Sequence, residues 1–202
     1  MANSGASTLR RLLVGQVNDD VTSPEIGRLT LVSRTTEART IAGDGSMLAA
    51  MHARVRAIDV AGEVWCLPLK VSTGTVATAS VTVTGTATAA GLVNLYVAGQ
   101  RVRAVVVASA TADAVATSLA AAVNAAVELP VTATAAAGVV TLTAKFKGDL
   151  GNDIRVQLNR LGRTNGEVTP AGLTLVATAM TGGAGTPEIA QALAALGDEE
   201  FE

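Results

Sequence analysis

The sequence predicts a mixed α+β protein, in which a β-rich middle domain with one helix is inserted into a partial α/β core domain formed by the two chain ends. Residues 76–180 are rich in Val, Thr, Ala and Gly and alternate in polarity, as strands do. Residues 1–75 combine a helical pattern with apolar strand patterns, and residues 181–202 return to a helical pattern after a glycine-rich joint. We therefore expect domain segments at 1–75, 76–180 and 181–202, the first and last being parts of one core domain.

The composition supports a packed core but gives no global attraction to polyanions. Of the 202 residues 49% are hydrophobic and 2% are aromatic, so the core must be built from Ala, Val, Leu and Thr methyl groups. The formal charge is −2, and Arg10, Arg11, Arg54 and Arg56 are few and scattered. Because phosphate binding needs clustered Lys and Arg, we expect no direct contact with nucleic acid.

Cysteine usage and hydropathy predict a soluble protein that is made in the cytoplasm. The single Cys66 excludes an internal disulfide framework. The chain has no apolar run of the ~18–20 residues needed to span a bilayer, and residues 1–7 lack the features of a signal peptide. We therefore expect no membrane insertion.

The first region predicts two strands and a helix. Residues 11–16 are a short apolar run, and residues 63–69 are another, which Pro68 is expected to end. Between them Ser46 is expected to cap a helix, because its hydroxyl can accept a hydrogen bond from a first-turn amide. His52 is expected on a solvent-facing side of this helix. The expected apolar face consists of residues at helical spacing, Met47, Met51, Val55 and Ile58.

The middle region predicts about seven strands and one helix. Residues 111–126 break the β pattern, and Thr111 is expected to cap a helix on which Val115, Leu119 and Val123 recur every four residues. Two hairpins are expected at the turns 98–100 and around Gly138. The strand segments are residues 80–84, 92–97, 101–107, 131–135, 139–144, 154–158 and 173–177.

The last region predicts a joint followed by a short helix. Residues 181–185 (TGGAG) are expected to be flexible, since glycine-rich linkers behave as random coils. Thr186 is expected to cap the helix, with Pro187 in its first position. The apolar stripe Ile189, Leu193 and Leu196 needs a sheet to cover it, so we expect it in the core of the first region.

Residue types that carry catalysis or metal binding do not form a known pattern in this sequence. His52 is the single histidine, and a surface histidine is favoured over a member of a catalytic triad. Cys66 lies in an apolar run, where a buried and inert thiol is the usual case. One Cys and one His cannot supply a zinc site. We predict no catalytic, cofactor-binding or metal-binding residue, and no enzyme activity.

Two glycine-containing segments could be taken for ligand loops. Residues 43–46 (GDGS) precede a helix, but they lack the lysine of a phosphate loop, and Asp44 would repel phosphate. Residues 148–153 (GDLGND) lack the regular carboxylate spacing and the final Glu of an EF-hand. A structural turn is favoured for both segments.

Several segments, taken in order, resemble the tail sheath proteins of Mu-like contractile phages and related prophages. The resemblance covers most of the chain from about Leu9 onward, and its specificity comes from the order and spacing of the segments rather than from a catalytic fingerprint. The segments are GDGSMLAAM (43–51), EVWCLPL (63–69), TVTGTATAAGLVNLYVAGQRV (82–102), LPVTATAAAGVVTLTAKFKGDLGNDI (129–154) and MTGGAGTPEIAQALAALGDEEFE (180–202).

This resemblance implies a structural subunit. Sheath subunits stack as rings into a helical sleeve around a tail tube, and the sleeve contracts from the baseplate to drive the tube through the host envelope. The implied partners are other sheath subunits, the tail tube protein and the baseplate. The implied location is the virion tail, after assembly in the host cytoplasm. The family's core domain is split by an outward-facing insertion, and its members usually run well past Glu202 and carry a longer N-terminal arm.

A binding module is the main alternative. The middle region alone could be an adhesin-like or carbohydrate-binding domain on a virion surface. Sugar sites usually use aromatic platforms, and this region has only Tyr96 and Phe146 to offer. An enzyme of another type is the third possibility, and it lacks any paired acid, base or nucleophile in the sequence.

Overall fold

The computed structural model describes residues 10–197 and residue 201. The chain separates into two compact units, which are described here one at a time. The middle unit is Thr73–Thr186, and the terminal unit comprises the described residues on either side of it. In the described part of the chain there are four α-helices and ten strands in three sheets, so the predicted mixed α+β class is confirmed.

The terminal unit has a three-stranded sheet with helices between its strands. The sheet order is β1-β3-β2, with β1 parallel to β3 and β2 antiparallel to it. Because parallel strands need a crossover connection, the helices between β1 and β3 provide it. The elements, numbered along the whole chain, are β1 (Arg10–Gln16), β2 (Thr30–Leu31), α1 (Thr35–Ala42), α2 (Met47–Ile58), β3 (Glu63–Leu69) and α4 (Ile189–Leu196).

Local signals at the first helices were partly predictive. Ser46 caps α2 as expected, since its Oγ accepts a hydrogen bond from the Ala49 N–H at 3.2 Å. The sequence patterns missed α1, whose start is stabilised by the Glu37 carboxylate, which accepts from the Ser33 and Arg34 amides. This helix has only two buried residues, Ala38 and Ala42, so its apolar periodicity is weak.

The expectation that Pro68 ends its strand was wrong, because β3 continues to Leu69. The Pro68 carbonyl accepts a hydrogen bond from the Gly27 amide at 2.8 Å. The N and C=O of a strand residue point to the same side, so the missing N–H of Pro68 faces this loop and not β1. The ladder with β1 therefore passes through the Gly15–Pro68 pair without losing a hydrogen bond.

The expected apolar face of α2 was only partly right, since Met51 and Val55 are partly buried and pack against the core cluster. The buried residues of α2 are Leu48, Ala49 and His52, whereas Ile58 is 90% exposed. Leu48 contacts Gly15 of β1 closely, because an added Cβ at Gly15 would meet Leu48 at about 3 Å. The helix is thus turned so that Leu48 and His52, one turn apart, face the core.

The last helix starts later and faces differently from the prediction. It begins at Ile189, so Thr186 is not its cap and Pro187 is not its first residue. Ala192 is buried against Leu67 and Leu69, while Ile189 and Leu193 are exposed. Because alanine allows the helix backbone to approach the sheet, the alanine side of the helix is the one that packs. Of the three residues in the expected core stripe, only Leu196 is partly buried against this cluster.

The middle unit contains seven strands and one α-helix, as predicted, and the structure describes all of it. One sheet has the order β10-β4-β8-β7, the other β6-β5-β9, and α3 contacts strands of both. The elements are β4 (Val76–Gly85), β5 (Gly91–Val97), β6 (Gln100–Val106), α3 (Ala112–Ala125), β7 (Val131–Ala136), β8 (Val139–Lys147), β9 (Val156–Leu158) and β10 (Leu173–Ala177).

Both predicted hairpins are present. Ala98 and Gly99 have φ values of 50° and 80°, and Ala137 and Gly138 have 48° and 76°. Two successive residues with positive φ characterise the type I′ turn, whose twist matches that of the flanking strands. Thr111 caps α3 through a 3.3 Å hydrogen bond from the Ala114 N–H, as expected.

The segment that was expected to be a flexible joint is hydrogen-bonded into the middle unit. Thr181 pairs with Thr78, and Ala184 pairs with Thr75, as antiparallel bridges. The Asn152 side chain closes the segment by donating to the Gly183 carbonyl and accepting from the Gly183 N–H, both at 2.9 Å. Glycine satisfies a steric requirement here, because an added Cβ at Gly183 would lie 2.5 Å from the Gly148 carbonyl oxygen.

Candidate functional site

The single histidine is a core residue, which corrects the expectation of a surface position. His52 is 0% exposed. Its Nε2 lies 3.1 Å from the Val32 carbonyl and its Nδ1 lies 3.3 Å from the Thr35 hydroxyl. A carbonyl can only accept, so Nε2 carries the proton and Nδ1 accepts from Thr35. Burial is the main cause that lowers the pKa of His52. Both ring nitrogens form hydrogen bonds that join α2 to residues 32–35.

The single cysteine is placed as expected. Cys66 is 0% exposed in β3, with Val64 and Leu13 in the same apolar cluster. Burial raises the pKa of its thiol to about 12. Since the thiolate is the reactive form, this thiol is held in its inert form at neutral pH.

The first glycine-containing segment is a turn, as predicted, whereas the second forms a short 3₁₀-helix. Residues 43–46 connect α1 to α2, and the Asp44 carbonyl accepts a hydrogen bond from the Asn18 side chain. Residues 149–153 form a 3₁₀-helix, whose Asn152 serves the backbone contact to Gly183 described above. Across residues 10–197 and 201, no group of three or more His, Cys, Asp or Glu side chains is arranged to hold a metal ion. None of the helices in that part of the chain is long and apolar enough to cross a bilayer.

Several arginine side chains lie on one face of the small sheet β6-β5-β9 in the middle unit. Arg101 and Arg103 alternate along β6 and share a face. In the ladder, Arg101 is opposite Tyr96 and Arg103 is opposite Asn94, while Gln157 of β9 is opposite Tyr96 on the other side. Arg155 lies two residues before Gln157, which by strand alternation places it on the same face.

A fourth arginine reaches this face from the segment after β9. The Arg160 guanidinium carbon lies 6.0 Å from the centre of the Tyr96 ring. Arg103, Arg155 and Arg160 are exposed, and the Arg101 side chain is 41% exposed. We call Arg101, Arg103, Arg155 and Arg160 the arginine face.

One buried carboxylate supports the arginine face from below. Glu167 is 4% exposed, and its Oε1 accepts hydrogen bonds from the Tyr96 hydroxyl and from Arg101, the latter at 3.3 Å. Its Oε2 accepts from the Leu161 N–H at 2.8 Å. Burial opposes ionisation of Glu167, but these hydrogen bonds outweigh it and lower its pKa below the ordinary value. The hydrogen bonds of this carboxylate are therefore made to groups of the middle unit, and Arg101 is the arginine that it neutralises.

Sequence reasoning missed the arginine face because it is assembled across the sheet. Arg101 and Arg103 are separated by more than fifty residues from Arg155 and Arg160. An available signal was the i, i+2 spacing of Arg101 and Arg103 inside a predicted strand, which places both on one face. The strand order β6-β5-β9, which brings β9 to the same sheet, could not be read from spacing.

The chain was compared with protein-family models and with curated proteins. No protein-family model matches it. It is 39% identical over 178 residues, which is 88% of its length, to the Mu-like prophage FluMu tail sheath protein of Haemophilus influenzae. The chain spans 36% of the length of that relative. This identity confirms the resemblance that the sequence segments indicated. The chain is therefore related, over most of its own length, to the tail sheath protein of a Mu-like prophage.

Proposed function

We propose that this chain is part of the structural subunit of a contractile tail sheath, which assembles around the tail tube and contracts to drive it through the host envelope. The observation that carries the proposal is the 39% identity over 88% of the chain to a tail sheath protein. Its partners are other sheath subunits, the tail tube protein and the baseplate. Its place is the virion tail, after assembly in the host cytoplasm.

The physical requirements of a sheath are compatible with such a subunit. A head-to-tail contact that does not close produces an open helix, so one kind of subunit can build a long sleeve. Contraction then releases free energy stored in a metastable extended state. We propose that residues 1–75 and 181–202 contribute to the core domain and that residues 76–180 are inserted between them. The bridges Thr75–Ala184 and Thr78–Thr181 support this, since they close the inserted segment on itself.

A structural role also agrees with the chemistry of the described residues, and we propose that the chain is not an enzyme. His52 has both ring nitrogens engaged, and Cys66 is buried with a raised pKa. The alternative of a sugar-binding module with an aromatic platform is not favoured. Tyr96 and Phe146, the aromatic residues of the middle unit, are 6% and 4% exposed, so neither ring can serve as a platform.

A segment exchange tests the sheath proposal. The matched segment of the Haemophilus influenzae relative would be replaced by the 178 residues of this chain that align with it. We expect the chimeric protein to assemble into rings or tubes, because the exchanged segment should present compatible contacts. Electron microscopy and light scattering across a concentration series would detect the assemblies.

The unmodified relative, expressed in parallel, serves as the control and must form tubes under the same conditions. A second chimera that exchanges only the segment aligned with Thr73–Thr186 would locate any failure. A fully exchanged chimera that is soluble and folded by circular dichroism, yet stays monomeric, would argue against the proposed function.

A further inference from the structure

We propose that the arginine face of the middle unit is a binding surface for a linear acidic polysaccharide. The inference goes beyond the sheath role and does not depend on it. It rests on three observations. Four guanidinium groups share one sheet face, the nearby Glu167 carboxylate pairs with Arg101 and leaves the other three guanidinium groups charged, and the fully described middle unit exposes no aromatic ring.

The four guanidinium groups form an extended array rather than a point site. Arg101 and Arg103 are two residues apart on β6, a separation of about 7 Å between their Cα atoms. Arg155 directly precedes β9, two strands away across β5, which adds about 10 Å in the perpendicular direction. Arg160 lies between them, over Tyr96. Such a diagonal array suits a chain that carries anionic groups at intervals, because each guanidinium can meet a different group.

The charge of this face is not cancelled within the middle unit. Among the residues that the structure describes, Arg103, Arg155 and Arg160 form no ion pair with a carboxylate, and Glu167 pairs with Arg101 alone. The middle unit as a whole carries seven Lys and Arg against five Asp and Glu, whereas the rest of the chain carries eight against twelve. A local positive potential therefore exists on a protein whose formal charge is −2.

The chemistry of arginine indicates a partner that carries anionic groups. A guanidinium donates two parallel hydrogen bonds to the oxygens of a sulfate, phosphate or carboxylate group, and it keeps its charge at any physiological pH. The amide of Gln157, half-buried in the row of Arg101, can donate to a sugar hydroxyl. Leu92 and Val105, an exposed cross-strand pair beside Arg103, offer apolar contact to the C–H face of a sugar ring.

The same face is less suited to nucleic acid. Proteins that bind single strands stack bases on exposed aromatic rings, and the Tyr96 ring is buried under the arginine face. Reading a duplex requires an element that enters a groove, and the arginine face belongs to a three-stranded sheet. An acidic polysaccharide needs neither feature, since its anionic groups protrude along a flexible chain.

Binding of dextran sulfate to the complete 202-residue chain tests the proposal, with uncharged dextran as the matched probe. At about 50 mM NaCl we expect dextran sulfate to bind and dextran not to bind. The double variant Arg103→Glu, Arg155→Glu removes two free guanidinium groups without touching the Glu167 network. It should weaken binding at least about tenfold and lower the slope of log affinity against log salt by about 2. Isothermal titration calorimetry measures both quantities.

The control variant Arg28→Glu, Arg54→Glu changes the net charge by the same amount through two exposed arginines of the terminal unit. It should bind within about twofold of the parent chain, because neither substituted residue belongs to the arginine face. Equal weakening by both double variants would show a nonspecific charge effect and overturn the proposal. So would an absence of dextran sulfate binding, equal binding of dextran, or tighter binding of a single-stranded oligonucleotide of equal charge.

Discussion

The two units of this chain are stabilised in different ways. The middle unit packs around a single cluster of 26 buried apolar residues, most of them Ala and Val. In the described residues of the terminal unit, the apolar core is divided into clusters of eight and three. The terminal unit also buries Gln16, Asn18, Ser46 and His52, whereas the middle unit buries only Asn94 and Glu167 among its polar residues.

This difference shows how a chain with few aromatic residues can still fold. In the middle unit, each β-branched or small side chain on the two sheets and the helix buries a small apolar area. Together these areas contribute a large stabilisation of the folded state. In the terminal unit, a few polar side chains hold specific backbone groups, so that individual hydrogen bonds carry more of the structure. We therefore expect the stability of the middle unit to fall most when a core side chain is truncated. The stability of the terminal unit should fall most when the pH is lowered.

Loss of volume in the middle unit gives the largest expected effect. Leu119 is 0% exposed on the face of α3, which contacts strands of both sheets. Leu119→Ala should destabilise the middle unit by about 2–5 kcal/mol, because it removes buried methyl groups and leaves a cavity. Hydrogen exchange measured by mass spectrometry would follow peptides of the two units separately.

The matched control is Leu161→Ala in the same unit, where the side chain is 49% exposed. Its effect should stay within about 0.5 kcal/mol. If Leu119→Ala changed exchange no more than Leu161→Ala does, the single continuous core would not be what stabilises the middle unit.

Acid should weaken the terminal unit before the middle unit. The folded state lowers the pKa of His52 below 6.5, mainly by burial, with Arg56 lowering it further and Glu37 raising it. Below pH 6.5 the unfolded chain binds a proton that the folded chain refuses, so stability falls as the pH falls. The slope reaches about 1.4 kcal/mol per pH unit while folded His52 stays neutral. Urea unfolding followed by the fluorescence of Trp65, the single tryptophan, measures it.

The middle unit provides the internal control for this scan. Its buried titratable group, Glu167, has a pKa lowered from the ordinary 4.5 and stabilises the fold above that value. Its contribution is lost only as the pH falls below about 4.5. Between pH 7 and pH 5, the protection factors of the middle-unit amides, which are corrected for the intrinsic exchange rate at each pH, should therefore stay constant. His52→Gln should flatten the pH dependence of the terminal unit, and an unchanged slope in that variant would remove His52 as the cause.

The elements that sequence predicted well are those determined by neighbouring residues. The turn at Gly99 and the caps at Ser46 and Thr111 depend on three or four consecutive positions, and all three were located correctly. The alternation of Val81 and Val83 likewise placed them in the core. These features require no knowledge of what the element packs against.

The errors arose where a distant element decides the outcome. His52 is buried because Val32 and Thr35 supply hydrogen bonds from a segment about twenty residues earlier, which no helical periodicity reveals. The last helix turns its alanines to β3, since close approach to Leu67 and Leu69 outweighs burial of Ile189 and Leu193. The arginine face depends in the same way on the position of β9.

The smallest expected effect concerns the segment 181–185, which distinguishes a hydrogen-bonded closure from a free joint. Asn152→Ala removes two hydrogen bonds to the Gly183 backbone, each worth about 0.5–1.5 kcal/mol. The Gly183 peptide would then be left to the bridges at Thr181 and Ala184. We expect faster amide exchange confined to this segment and its partner strand, with little change in the rest of the middle unit.

Asn165→Ala is the matched control, because Asn165 donates one side-chain hydrogen bond, to the Leu161 carbonyl, in an exposed turn. It should leave exchange of residues 181–185 unchanged. If these amides exchanged at the rate of an unstructured chain in the parent protein, the bridges would not persist in solution. The segment would then be the flexible joint that its glycines predicted. Protection that depends on Asn152 would instead show that the middle unit ends in a fixed backbone closure, and that glycine is needed there because Gly148 leaves no room for a side chain.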